Sequence, residues 1–302
     1  MVRLRWLGVT LSTVLAAHAG GCSDPSDSGP LVVAAGTGGT SGGGPGATGG
    51  TPAPVVTCPT VEGAAGLGSV CDRQGSVYGA GNRYYFQNNV WNQQGSSQCI
   101  EPYTFGDYAG FRVATANHSV QDDAPAGYPS VVKGWHWGFK TSDFTTGRQL
   151  STVTAVPSLW CFATTAGDKY NVSYDLWLHP TNANLGNQDP NGGMELMVWL
   201  YREDPNNGVW PIGKAQDRFQ YQGSWWTIYL SSTADNPNWT VLSYMRETDV
   251  NAAELDLKFF FDDAIERGYL TSSWYLLGIE AGFEIWRGGQ GLQSVAYRVS
   301  VE

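Results

Sequence analysis

The sequence predicts an all-β domain of the sandwich or jelly-roll type carrying one α-helix. Three observations carry that prediction. Short segments alternate apolar and polar residues at period two and are rich in aromatic and β-branched side chains. Gly, Asn, Asp and Pro bound nearly all of them. One segment alone repeats its apolar residues at helical spacing. Many short strands in close succession argue stacked sheets, because a sheet apolar on one face must bury that face against a second layer.

The alternating segments are 84–90, 111–116, 170–179, 194–201, 225–230, 275–286 and 294–301. In GMELMVWL (193–200), Met194, Leu196, Val198 and Leu200 point one way, and Glu195, Met197 and Trp199 the other. The all-apolar face belongs between the sheets, which leaves a carboxylate beside Met and Trp on the opposite face. YDLWLH (174–179) sets Asp175, Trp177 and His179 on one face in the same manner. GIEAGFEIWRGG (278–289) sets Glu280, Gly282 and Glu284 on one face, with Phe283 and Ile285 on the other. Gly282 removes bulk beside Glu284, so a substrate or a backbone can approach closely. The exception is NAAELDLKFFFDDAIER (251–267): Leu255, Phe259, Phe260 and Ile265 fall near helical spacing, acidic residues come early, and Gly268 stands where a C-terminal cap would fall. A helix over 251–267 is predicted.

Ahead of these elements the chain of 302 residues has a different character. Arg3 and Arg5 precede an apolar run, 6–17, and Ala19, Gly20 and Gly21 lead into Cys22, the construction of a secretory signal peptide over residues 1–21. The run is too short for a permanent span, which needs about 20 apolar residues. Small residues directly before Cys22 resemble a bacterial lipobox, so Cys22 is the expected lipidation site, with Ala19 standing where that motif usually has Leu. Residues 22–57 are Gly, Ser, Thr, Pro and Ala with almost no large apolar side chains, the composition of a flexible tether. One domain, 58–302, remains. The expected protein is exported, monomeric, and in contact with a membrane only through its lipid.

With Cys22 set apart, Cys58, Cys71, Cys99 and Cys161 make an even count, read as two disulfides with three connectivities. Closing the loop between Cys71 and Cys99 is worth roughly 3 to 4 kcal/mol in the chain-entropy model, which favours that pair, with Cys58–Cys161 as the remainder. No CxxC occurs and His is scarce, so neither a zinc site nor any other cofactor is expected. A balance of 27 Asp and Glu against 17 Lys and Arg, net charge -10, offers no basic footprint and argues against nucleic acid as a partner.

Three strands thus each present a carboxylate beside an aromatic residue or a Gly. Trp faces stack on sugar rings, and glycoside hydrolysis needs two carboxyl groups across a groove, one to protonate the leaving oxygen and one to attack or to position water. At ~5.5 Å and an effective dielectric of ~20, two carboxylates repel by roughly 3 kcal/mol, enough to hold a proton on one near neutral pH. Rival motifs fail on inspection. GVWPIGKA (208–215) has the spacing of a phosphate loop but carries Ala215 where a hydroxyl is needed, and Pro211 inside. ELD (254–256) lacks the third acid of an ExDxxE signature, because Phe259 stands there. A noncatalytic polysaccharide-binding sandwich is the rival of a different class.

The blocks YYFQNNVW (84–91), YPSVVKGWHWG (128–138), YNVSYDLWL (170–178), GMELMVWL, GVWPIG (208–213) and RGYLTSSWYLLGIEAGFEIWRGGQGL (267–292) together resemble glycoside hydrolase family 12 in order and spacing, across nearly the whole of 71–302. The resemblance implies a jelly roll of two curved antiparallel sheets with one helix and a concave substrate groove. It further implies a retaining endo-β-1,4-glucanase acting on cellulose-type β-glucan, with xyloglucan or mixed-linkage glucan as the alternative polymer. Matched block by block, Glu195 resembles the family nucleophile, Glu284 the acid/base, and Asp175 the Asp beside the nucleophile. Asn89, Trp91, His136, Trp137, Met197 and Trp199 would line the groove. The disulfide of the family's opening hairpin maps onto Cys71–Cys99. Bacterial members often carry Cys where this chain has Trp135; Cys161 is present instead, and Trp135 reads as a packed side chain.

Overall fold

The computed structural model describes residues 55–121, 123–182, 189–206 and 208–302. The expected signal peptide, the expected lipidation site Cys22 and nearly all of the expected tether lie outside the described residues. Two sheets face each other. The smaller has six strands in the order Ala65–Gly66, Gln98–Phe105, Tyr108–Ala116, Gln293–Val299, Pro157–Ala163 and Ala252–Asp256. The larger runs Lys214–Tyr221, Ser224–Leu230, Thr240–Arg246, Met194–Glu203, Lys169–His179, Tyr275–Gly282, Ser130–His136, Tyr84–Gln87, Ser76–Gly79, with four short strands alongside. One pairing departs from the all-antiparallel expectation: Met194–Glu203 lies parallel to Thr240–Arg246, with Glu195 opposite Val241. The hairpin of Lys214–Tyr221 and Ser224–Leu230 sits between them in sequence, so the chain returns to the sheet in the same direction.

Alternation places the core. Tyr170, Val172, Tyr174, Leu176 and Leu178 from one strand, and Met194, Leu196, Val198 and Leu200 from its neighbour, are buried between the sheets with Phe86, Phe111, Trp160, Tyr244 and Tyr297. At about 1.5–3 kcal/mol for each large apolar side chain, this layer is the main source of stability. The residues between them, Asn171, Ser173, Asp175 and Trp177, therefore face the other side of the larger sheet.

The helix is shorter than predicted. Residues 252–256 form a strand against Pro157–Ala163, Leu255 opposite Ser158, and the α-helix is confined to Lys258–Glu266. Ala253 and Leu255 are buried while Glu254 is exposed, a period of two that a short apolar run shares with a helical reading. Asp256 ends the strand: its Oδ1 accepts from the backbone N–H groups of Val156 and Lys258, at 2.8 and 3.0 Å. Phe260 and Phe261 are buried, and Phe260 meets the rings of Trp226 and Tyr244, each at 5.2 Å. Gly268 follows the helix in the left-handed region, φ 77°.

Both disulfides pair as favoured, Cys71–Cys99 and Cys58–Cys161. Trp160 and Phe162 face the core, so Cys161 and Leu159 face outward, where they bury Val56 and Cys58 against the outer surface of the smaller sheet with Phe105 and Ala296.

Candidate active site

The concave side of the larger sheet holds a cleft of about 470 Å³, lined by Gln74, Gln87, Asn89, Trp91, Pro125, Tyr128, His136, Trp137, Asp175, Trp177, Glu195, Trp239 and Glu284. That volume lies within the usual range for small-ligand sites.

Three Trp residues from three elements meet around one end. Trp137 occupies the two-residue turn between Ser130–His136 and Phe139–Lys140, with φ of 35° at Trp137 and 90° at Gly138, as a type I′ hairpin requires. A bulky side chain at positive φ is strained, and its surroundings must hold it there. Trp137 meets Trp177 edge-on at 4.8 Å, stacks on Trp135 at 5.3 Å, and donates its indole N–H to Asp189 at 3.0 Å. Trp239 lies 5.6 Å from Trp177. It is presented by a loop that Asn236 fixes by accepting from the backbone of Asn238 and Trp239.

Glu195 and Asp175 form one wall. Trp239 donates its indole N–H to Glu195 Oε2 at 2.8 Å. Burial raises the Glu195 carboxyl above its usual range, and hydrogen bonds from Trp239 and Asp175 counter that rise. Asp175, 4% exposed, is pushed well above the carboxylate range by burial, then by the negative charges of Glu195, Glu280 and Glu284. Its hydrogen bond to Glu195 acts in the same direction, so of the two carboxyls Asp175 keeps the proton and donates it towards Glu195.

Glu284 forms the other wall, where the predicted strand 275–286 is interrupted. Tyr275–Gly282 and Ile285–Gly288 both pair with Lys169–His179, Ser173 facing Gly282 and Tyr170 facing Ile285, and Glu284 sits in the gap. The backbone N–H of Asn171 donates to Glu284 O at 3.0 Å, its side-chain Nδ2 makes a short hydrogen bond to Glu284 Oε2, and its Oδ1 accepts from Glu284 N at 3.3 Å. The Glu284 carboxyl is raised to about 8 by burial first and the charge of Glu195 second, with the Asn171 bond opposing. Repulsion between the two acids, the cause expected from sequence, is thus the smaller contribution. Gly282 admits a backbone and not a substrate: a Cβ there would meet Pro129 O at 2.4 Å.

Asn89, Trp91, His136 and Trp137 all line the cleft, as the resemblance implies. Met197 and Trp199 are the correction. Both are 3% exposed and lie in an apolar cluster with Val209, Val241, Met245 and Trp286, outside the lining. Their strand face is right, but the loop carrying Val209 and the Trp286 side chain cover it. His179, on the Asp175 face, is turned to its own loop by hydrogen bonds with Thr181. Trp135 is packed, 4% exposed. Trp239, Asn171 and Tyr128 received no role from the sequence. Trp239 lies in a loop without periodicity, whereas Asn171 shares the Asp175 face of its strand and was readable there. Among the described residues, no group of three or more His, Cys, Asp or Glu is arranged to hold a metal ion.

Comparison with known proteins bears on this arrangement as a whole. Endoglucanase S of Pectobacterium parmentieri is 30% identical over 239 residues, covering 75% of this chain and 84% of that protein. Xyloglucan-specific endo-beta-1,4-glucanase A of Aspergillus niger is 28% identical, covering 56% and 71%. The solved structure of endoglucanase cel12A from Rhodothermus marinus superposes with a TM-score of 0.70 at 34% identity, over 78% of this chain and 99% of that one. The profile of glycosyl hydrolase family 12 matches residues 82–302, the span that carries every strand except Ala65–Gly66 and Ser76–Gly79, the helix and every lining residue from Gln87 to Glu284, and the chain belongs to that family.

Proposed function

We propose that the protein is a retaining endo-β-1,4-glucanase in which Glu195 is the nucleophile and Glu284 the acid/base. One observation carries the assignment: two carboxyls of one Trp-lined cleft share burial but differ in their hydrogen-bond donors. Glu195 receives Trp239 N–H and Asp175 O–H, both of which favour its charged form. Glu284, raised to about 8, holds its proton at neutral pH. The ionised Glu195 attacks the anomeric carbon while Glu284 delivers its proton to the departing glycosidic oxygen. Forming the glycosyl ester removes the Glu195 charge that helped hold the Glu284 proton, so the Glu284 pKa falls as its task changes from acid to base. Asp175, holding a proton towards Glu195, is positioned to stabilise the leaving carboxylate in the second step.

The test is hydrolysis of soluble β-glucan by Glu195→Gln and Glu284→Gln proteins, with the anomeric configuration of the first products followed by NMR. Near-wild-type turnover by either variant sinks the assignment, initial inversion sinks the mechanism, and binding without new reducing ends in the unmutated protein would restore the noncatalytic reading. Xyloglucan is the second reading for the polymer, favoured by the Aspergillus niger relative; relative rates on cellulose-type glucan, mixed-linkage glucan and xyloglucan decide. The paired disulfides fit an exported protein. For the anchor, lipid labelling that survives Cys22→Ser would exclude Cys22 as its site.

A further inference from the structure

The buried acid Glu280 takes no part in the reaction above, yet it is the least exposed carboxyl of the described residues, at 0%. Its Oε1 accepts the Trp177 indole N–H at 2.8 Å and lies 3.1 Å from His136 Nε2, and its Oε2 accepts the Ser130 hydroxyl at 2.8 Å. On the far side of the imidazole, His136 Nδ1 lies 2.6 Å from Gln87 Oε1. An amide oxygen only accepts, so Nδ1 carries a proton. In a neutral ring Nε2 is then bare, and a protonated Glu280 is the group that can donate to it.

Burial favours both neutral forms, pushing His136 down to about 3 and Glu280 up to about 8. The other titratable groups that sense the charge of Glu280 are Asp175, directly opposite on the neighbouring strand, Glu195 beyond it, and the phenols of Tyr85, Tyr128 and Tyr297. All are acids, and a negative charge on any of them opposes ionisation of Glu280.

We infer that Glu280 and His136 form a buried proton relay that fixes the Gln87 amide with its oxygen inward and its NH₂ towards the cleft, as a donor to a glucan hydroxyl. Glu280 is a positioning residue in this scheme, since it acts through His136. The inference rests on the cleft being the glucan site. When Glu280 loses its proton to solvent, its carboxylate accepts from Nε2–H; the imidazole proton has moved from Nδ1 to Nε2, and the bare Nδ1 repels Gln87 Oε1. The amide then turns over and offers the cleft an acceptor in place of a donor. KM for glucan rises about fivefold, the worth of one hydrogen bond, as pH passes upward through the Glu280 midpoint.

The experiment is ¹⁵N NMR of the His136 ring in the whole protein, well below and well above that midpoint, with KM measured in parallel. The expected result is an Nδ1–H ring at low pH and an Nε2–H ring at high pH. Glu280→Gln sharpens the test. Its carbonyl oxygen, held by Trp177 N–H, can only accept from His136, so the variant should show the Nε2–H ring at all pH and the raised KM already at neutral pH. A doubly protonated ring, or Nε2–H at low pH in the wild type, overturns the relay. The expected tautomer switch with a flat KM overturns the Gln87 contact. Because the NMR readout needs no substrate, failure of the relay is distinguishable from failure of the glucan reading.

Discussion

The two walls of the cleft are built from the same residue type under similar burial, yet they are given different hydrogen-bond donors. On the Glu195 wall, an indole N–H and a neighbouring acid's proton both point at the carboxylate. On the Glu284 wall one amide donates, and burial prevails. Burial pushes both carboxyls upward. The difference teaches that two donors set Glu195 apart, whereas on the other wall the charge of Glu195 adds to burial and outweighs the single amide donor to Glu284.

The largest effect expected from breaking this contrast is in Glu195→Gln, which removes the proposed nucleophile and should lower kcat on the order of 10⁴-fold or more. Steady-state hydrolysis of soluble glucan measures it. For Glu284→Gln the expected loss is about 10²- to 10⁴-fold, the usual worth of a positioned acid, and a substrate with a good leaving group should recover much of the first step. Asp175→Ala takes one donor from Glu195 and should cost about 10- to 100-fold in kcat/KM, the range for a hydrogen bond to a charged group. Trp239→Phe removes the other donor. Donation to a carboxylate lowers its pKa, so this variant should move the acid limb of the kcat/KM profile to higher pH, with about tenfold loss at neutral pH. The smallest effect belongs to Asn171→Leu. Losing the amide donor raises the Glu284 pKa above about 8, so the alkaline limb should move upward, with about threefold change at neutral pH. A downward move of that limb would invert the proposed electrostatics of this wall.

Much of this was legible in the sequence wherever one strand's alternation carried the information. Leu196 and Val198 against Glu195, and Tyr174 and Leu176 against Asp175, assign inner and outer faces without any structure. What resisted reading depends on contacts between distant segments. Met197 and Trp199 have the right face, but Val209 and Trp286, far along the chain or across it, close over them. Ala253 and Leu255 fit both periods over so short a run, and only the partner strand Pro157–Ala163 resolves them. The parallel entry of Thr240–Arg246 has no local signature, and Trp239, one residue before it, inherits that silence. Glu280 was visible on the Glu284 face, but its role depends on His136, Ser130 and Trp177, which arrive from two other strands.

The Cys58–Cys161 bridge has a mechanical meaning. It rivets the start of the sandwich to the outer surface of the smaller sheet, whereas the cleft opens on the far surface of the larger one. Tension on the segment that precedes Val55 is therefore received at a covalent mooring on the protein's back. The load passes into the strand Pro157–Ala163, seated between two hydrogen-bonded neighbours, and not into the strands bearing Glu195 and Glu284.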